Sequence, residues 1–263
     1  MPPVHAVKPL TPAAHLASSI ATPVRWALDR ILSVGYGLLY DSIVEHFAPC
    51  QALEHEVLSL VERVAPEPAA RRGYRVLDIG CGPGTFAVVM AEAGFSVLGI
   101  DSYTVLLELA REKRTAKALP NLAFARTDLA GAHDLAEESF DQVVSIHSLY
   151  LHETPDRVLR GAFHVLKPGG HAVFVNPTRR LAAWPALRGA WQSSRAGQGL
   201  GRLLWLLPHT AFEAMRKPVG PHYWDEAEFG RRVHEAGFAV LATHRTFLDD
   251  ASVLVWARKG IES

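Results

Sequence analysis

The sequence predicts a doubly wound α/β domain, a mostly parallel sheet with helices on both faces. Two observations carry this prediction. From Val76 to Thr85 the stretch VLDIGCGPGT runs two apolar residues into Asp78, then alternates Gly80, Gly82 and Gly84 with other residues before the apolar run FAVVMAEA. That order reads as a buried strand, a tight glycine turn and a helix start. Beyond it, short apolar runs alternate with helical ones, a pattern that gives a parallel sheet with its ligand at the carboxyl ends of the strands.

In chain order, residues 1–20 hold several prolines and small residues and read as an irregular arm. Between Pro23 and Phe47, Trp26, Ile31, Leu38, Leu39 and Ile43 recur at mixed helical spacings, which predicts one or two helices ahead of the core. QALEHEVLSLVERV then sets Leu53, Val57, Leu60, Val61 and Val64 on one face of an amphipathic helix, and APEPAARRG links it to the first strand. Strands are expected at 74–79, 96–100, 122–126, 140–146 and 171–176. Helices at 84–93, 103–117 and 154–166 separate them, with a looser connection at 127–139. Asp78, Asp101, Asp128 and His147 fall at strand exits, and four positions along one edge define one crevice.

After Val175 the pattern breaks. Residues 177–222 are too long for an ordinary connection and carry Trp184, Trp191 and Trp205 among leucines, so they read as a helical cap over an acceptor pocket. The competing uses of this segment are completion of the core and a contact that makes a homodimer. WDEAEFGRRVHEAGF follows as a helix ending at Gly237, and AVLATHRTFL and ASVLVWARK read as a closing pair that brings the sheet to seven strands. The domain division is an N-terminal arm and helical lid at 1–70 and a main domain at 71–263, with 177–222 as its insertion.

Composition excludes several classes. Lys plus Arg and Asp plus Glu are both 27, and such neutrality argues against a broad phosphate-binding surface, hence against a nucleic-acid partner. The two cysteines, Cys50 and Cys81, have no zinc spacing and make no disulfide framework, which predicts a reduced, cytoplasmic protein with no bound metal. MPPVHAVKPLTPAAH lacks the charged start and apolar core of a signal peptide, and the longest apolar runs, ILSVGYGLLY and LLWLLP, are too short to span a membrane.

A glycine turn after a strand is shared by several cofactor-binding designs. A dinucleotide fingerprint has its third glycine three residues after the second, where this chain has Thr85; here the glycine is Gly84. Asp78 also aims a carboxylate at the turn that would have to hold a pyrophosphate, and like charges repel strongly away from bulk water. A ligand with an amino group and a cationic centre is favoured instead, and S-adenosylmethionine has both, with no phosphate.

At these residues the chain resembles the class I S-adenosylmethionine-dependent methyltransferases of the small-molecule type, whose first motif is DxGxGxG. VLGIDSY, FARTDL, FDQVVSIHSLYLHE and VLKPGGHAVFV continue the resemblance in order. The family implies a Rossmann-like sheet with an antiparallel edge, S-adenosyl-L-methionine as cofactor and methyl transfer to a small acceptor. It places Asp101, 21 residues beyond Gly80, at the ribose diol and Asp128 at the adenine amino group. The implied binding set also takes in Asp78, Gly80, Cys81, Gly82 and Gly84, with Ser102, Leu129 and Ser145. GLLYDSIVEHFAP looks like the N-terminal segment that folds over the cofactor, with Tyr40 at the methionine carboxylate; the alternative is a Tyr40 packed with its hydroxyl at the surface.

Where family members often have serine two residues after the second-strand acid, this chain has Tyr103, so Ser102 or Thr104 is expected to cap the next helix. His147 and His152 are the candidate bases, on the exit of the fourth strand. His152 sits where the family frequently has histidine, which suggests structural duty, and His147 is expected to reach the acceptor. His222 and Tyr223 close the insertion beside the same pocket. O-methylation of an apolar or aromatic acceptor is preferred over C- or N-methylation, and two cysteines are too few soft ligands for arsenic. The rival readings are a protein that binds S-adenosylmethionine without turnover and a nicotinamide oxidoreductase.

Overall fold

Period-2 alternation in the strands decides which helices cover which face. The computed structural model describes residues 48–178 and 222–261; Tyr40 and nearly all of the 177–222 insertion lie outside them. Seven strands form one sheet: β1 (Arg75–Ile79), β2 (Ser96–Asp101), β3 (Leu122–Arg126), β4 (Phe140–Ile146), β5 (Leu166–Pro177), β6 (Ala239–Thr246) and β7 (Ser252–Arg258). Their spatial order is β3-β2-β1-β4-β5-β7-β6. The first five run parallel, and β7 is antiparallel to both β5 and β6.

Val76, Val144, Val175 and Leu254 point to one face, where α1 (Ala48–Val64) and α2 (Thr85–Glu92) cover them with Leu53, Val57, Val61, Ala87 and Met90. Leu77, Val143, Phe174 and Val255 point to the other, under α4 (Pro155–Val165) and α5 (Glu226–Glu235), which contribute Leu159, Ala162, Phe229 and Val233. The remaining helix, α3 (Thr104–Ala116), buries Leu106, Leu107 and Ala110. Each of the buried valine, leucine, phenylalanine and methionine side chains contributes about 1.5–3 kcal/mol by leaving water.

Three local features differ from the sequence reading. The apolar face of α1 begins at buried Cys50, and Val64 is only half-buried. The link to β1 contains a 3-10 helix, Pro68–Gly73, pinned by Arg71, which donates to the carbonyls of Ala65, Pro66 and Ala93 and pairs with Glu62. Strand β5 starts at Leu166, where it pairs with Phe140; the pairing resumes at Gln142 and His171, so residues 167–170 bulge out between. Lys-Pro-Gly-Gly suits that bulge, which is tied to the end of β7 through Gly169 N–H to Lys259 O and Lys259 N–H to Gly170 O.

The closing turn of α1 leaves a carbonyl that only a side chain reaches. Ala65 N–H bonds Glu62 O, so Val61 O is met by the fully buried amide of Gln142 at 3.0 Å. Gln142→Leu is expected to orphan that carbonyl and destabilise the protein by about 1–3 kcal/mol, read as a lower midpoint in urea with unchanged slope.

Candidate active site

The sheet order reverses between β1 and β4, and a crevice opens at that switch point beyond the strand ends. The turn after β1 is fixed from β2: Gly80 N–H and Cys81 N–H both donate to Ile100 O, at 2.8 and 3.0 Å. Asp101 Oδ2 then accepts Gly82 N–H at 3.0 Å while Oδ1 accepts Tyr103 N–H at 2.8 Å. One carboxylate therefore braces the glycine turn against the entry to α3. Tyr103 is the residue that opens that helix, with no side-chain cap, so neither Ser102 nor Thr104 caps it; Ser102 lines the cleft and its carbonyl accepts from Arg126.

The cleft measures about 410 Å³, within the usual span of small-molecule sites. It gathers Asp78 from β1, Gly80, Cys81 and Gly82 from the turn, Asp101 and Ser102 from the end of β2 and just beyond it, Asp128 and Leu129 from beyond β3, and His147 and His152 from beyond β4. Two residues of the expected set are absent from its walls. Gly84 instead allows α2 to close on its neighbours, because a Cβ there would lie 2.8 Å from the Phe124 ring and 2.9 Å from Ala110. Ser145 is fully buried beneath the floor, bonded to Ser148 Oγ at 2.6 Å, and Ser148 lines the cleft in its place. Ser148 Oγ also donates to Ile79 O at 3.0 Å, which ties the fourth-strand exit to the turn.

Asp78 is the electrostatic centre of the site. It is 2% exposed, and its carboxyl pKa is pushed up to about 7, first by burial and then by the neighbouring charge of Asp101; the Ala87 N–H opposes the shift. Its Oδ2 has no hydrogen-bond partner among the described residues. Burial also holds both thiols protonated: Cys50 is pushed up to about 12, and Cys81 rises well above the ordinary thiol range, with Asp78 and Asp101 adding to the effect. Neither sulfur is therefore a nucleophile or a ready metal ligand.

His152 spends both ring nitrogens on the protein. Nδ1 accepts Thr154 N–H at 3.0 Å, so the proton sits on Nε2, which donates to Asp128 Oδ1 at 3.1 Å. That oxygen also takes Ala130 N–H at 2.8 Å. His152 thus orients Asp128 and the start of α4. His147 stands in left-handed backbone with φ 50°, its N–H on Val175 O and its Nε2 2.9 Å from Ser252 Oγ. His222 and Tyr223 lie one layer behind the wall: His222 N–H bonds Tyr150 O, and the rings of Tyr223 and Tyr150 stack at 6.1 Å. Ser148, Tyr150 and Ser252 carry no pattern in the sequence that singles them out. Only the need of Gly80 for a close neighbour could have pointed to Ser148.

A family model described as a methyltransferase domain matches residues 46–243. The chain belongs to this methyltransferase domain family. Its curated relatives include a ubiquinone biosynthesis O-methyltransferase of Paracidovorax citrulli, 29% identical over 52% of this chain and 56% of that protein. An arsenite methyltransferase of Aquipseudomonas alcaligenes is 39% identical over 44% of this chain and 36% of that one. The matched stretch spans about half the length of the ubiquinone enzymes, between 45% and 56% in the first two. Among solved structures, an S-adenosylmethionine-dependent methyltransferase from Aquifex aeolicus superposes with a TM-score of 0.52 at 18% identity, covering 82% of this chain and 92% of that one. The cyclase SpnF gives a TM-score of 0.56 at 19% identity, over 78% of this chain and 82% of that one. At these identities the likeness is one of fold.

The residues of this methyltransferase domain fit S-adenosylmethionine. Asp78 Oδ2 is an orphaned buried acceptor at the turn, suited to a cation. Among the described residues a Cβ at Gly82 would meet nothing within 4 Å, so the backbone there leaves room for a ligand. Two buried carboxylates, Asp78 and Asp101, repel a pyrophosphate from the same place.

Proposed function

We propose that the protein transfers a methyl group from S-adenosyl-L-methionine to an oxygen of a small apolar or aromatic acceptor. The observation that carries this reading is the buried carboxylate oxygen of Asp78 at the glycine turn, which has no hydrogen-bond partner among the described residues. Asp78 would hold the cationic end of the cofactor, Asp101 the ribose and Asp128 the adenine, each at a strand exit. When bound, S-adenosylmethionine supplies an electrophilic methyl: an O–CH3 bond forms, the S–CH3 bond breaks with its electron pair returning to sulfur, and S-adenosylhomocysteine leaves.

The rest is done by the chain. Burial at the strand ends keeps water from the reacting oxygen and aligns it, which is worth more than any one contact. A hydroxyl also has a proton to lose, and His147, at the cleft wall beyond β4, takes it. The ubiquinone O-methyltransferases among the relatives support oxygen as the methylated atom. Two thiols held protonated by burial, as the only cysteines of the chain, argue against soft arsenic ligation. The aromatic run at 177–222 is assigned to the acceptor pocket, and the N-terminal segment with Tyr40 to the cofactor.

Calorimetry with S-adenosylmethionine and NADH tests the cofactor, and tritiated methyl donor with a series of alkylated phenols and catechols tests the transfer. Heat from the sulfonium compound alone, followed by label in a methyl ether, is expected. Uptake of NADH without heat from S-adenosylmethionine would return the site to oxidoreductase chemistry, and binding with no S-adenosylhomocysteine formed would make it a binding protein.

A further inference from the structure

Left-handed backbone from two distant parts of the chain converges on one imidazole. His147 has φ 50°, and Phe247, Leu248, Asp249 and Asp250 follow one another at φ 56°, 41°, 54° and 61°. Residues with a Cβ resist this region, and a run of four persists only where the surroundings dictate it. Here they do: Ala251 N–H closes the turn on Phe247 O at 2.9 Å, and Ala251 O accepts from Thr178 N–H and Oγ1. The turn delivers Phe247 edge-on to the His147 ring, with centroids 4.9 Å apart, and starts β7 so that Ser252 Oγ stands 2.9 Å from His147 Nε2. Ser252 is fully buried on a strand whose other buried residues are valine, leucine and alanine. At such a place a hydroxyl without a task would be replaced by an apolar side chain at no loss.

We infer that Ser252 is a positioning residue for His147: its Oγ accepts the Nε2 proton, fixes the ring in one tautomer and keeps the basic lone pair on Nδ1. Ser252 does not touch the acceptor. The inference rests on the reading of His147 as the group that removes the acceptor's hydroxyl proton. That proton passes from the acceptor oxygen to Nδ1, and the freed electron pair on oxygen forms the bond to methyl.

The test compares Ser252→Ala, Ser252→Val and Ser252→Thr. Valine and threonine have nearly the same volume, so their difference reads the hydroxyl and not the packing. In cofactor-free protein labelled with ¹⁵N-histidine, with His147→Gln to assign the signals, wild type and Ser252→Thr are expected to show a single Nε2–H tautomer for His147. Ser252→Ala and Ser252→Val are expected to lower the share of the Nε2–H tautomer. With an alkylated catechol as acceptor, Ala and Val should lower kcat about tenfold and leave KM for S-adenosylmethionine unchanged, while Thr stays near wild type. Equal behaviour of Val and Thr, or His147 nitrogens unaltered by Ser252→Ala, would overturn the inference. If wild type transfers no methyl group, the proposed function falls, and the nitrogen spectra alone still decide the Ser252 contact.

Discussion

Asp78→Asn is expected to stabilise the ligand-free protein at pH 8 and to abolish measurable uptake of S-adenosylmethionine. The carboxyl has a folded pKa of about 7 against an ordinary 3.8. A pKa raised by folding contributes stability that is fully present below the unfolded value and is lost as pH rises through the folded one. Wild type should therefore lose up to about 4 kcal/mol between pH 4 and pH 7 from this group, while the asparagine variant stays flat over that window. The amide keeps an acceptor for Ala87 N–H but buries an NH2 group, which costs about 1–3 kcal/mol if unpaired, so the net gain at pH 8 is about 1–3 kcal/mol. Binding responds in the opposite sense, because removing the partner of a buried cation costs about 3–5 kcal/mol, a loss of about two to four orders of magnitude in Kd. In wild type the affinity should also fall about tenfold per pH unit below pH 7, as Asp78 must give up its proton to receive the cation. Urea melts at pH 5 and pH 8 beside calorimetry of the same samples check both halves. An Asp78→Asn protein that binds like wild type would remove Asp78 from the site.

That trade of stability for a poised charge explains what the sequence revealed and what it hid. The strands and their exits were legible because period-2 runs and a glycine turn are local patterns, and Asp78, Asp101, Asp128 and His147 follow from the position where each run stops. At Gly84 and Ser145 motif position alone does not tell packing from contact. Three-dimensional neighbours decide that: Phe124 and Ala110 for Gly84, and Ser148 for Ser145. Ser148 and Ser252 gave no signal, since each acquires its duty from a partner far along the chain, Ile79 in one case and His147 in the other. The bulge at 167–170 is hidden from the sequence for a related reason: Lys-Pro-Gly-Gly reads as a turn before a strand, and only the early pairing of Leu166 with Phe140 makes it an interruption within one.

Alanine at two neighbouring glycines should separate the fold from the ligand. Gly80 has φ +68°, and a Cβ there would lie 2.3 Å from Ser148 Cβ, an atom that cannot swing aside because Ser148 Oγ is held by Ser145 and Ile79. Left-handed alanine costs about 1–2 kcal/mol and the overlap about 1–3 more, so Gly80→Ala should destabilise by about 2–5 kcal/mol. Adding Ser148→Gly removes the overlap, and the double variant should regain about 2 kcal/mol relative to the sum of the two single changes, a coupling that urea denaturation resolves. Gly82 has φ +53° but open space around it among the described residues, so Gly82→Ala should cost only the backbone term, about 1–2 kcal/mol, while its methyl enters the space proposed for the ligand. Weak folding with Gly80→Ala, and near-normal folding with lost S-adenosylmethionine uptake with Gly82→Ala, is the expected pair. Equal binding by Gly82→Ala and wild type would mean that the ligand does not lie against this turn, and the assignment of the cleft would then have to move toward His147 and the exit of β5.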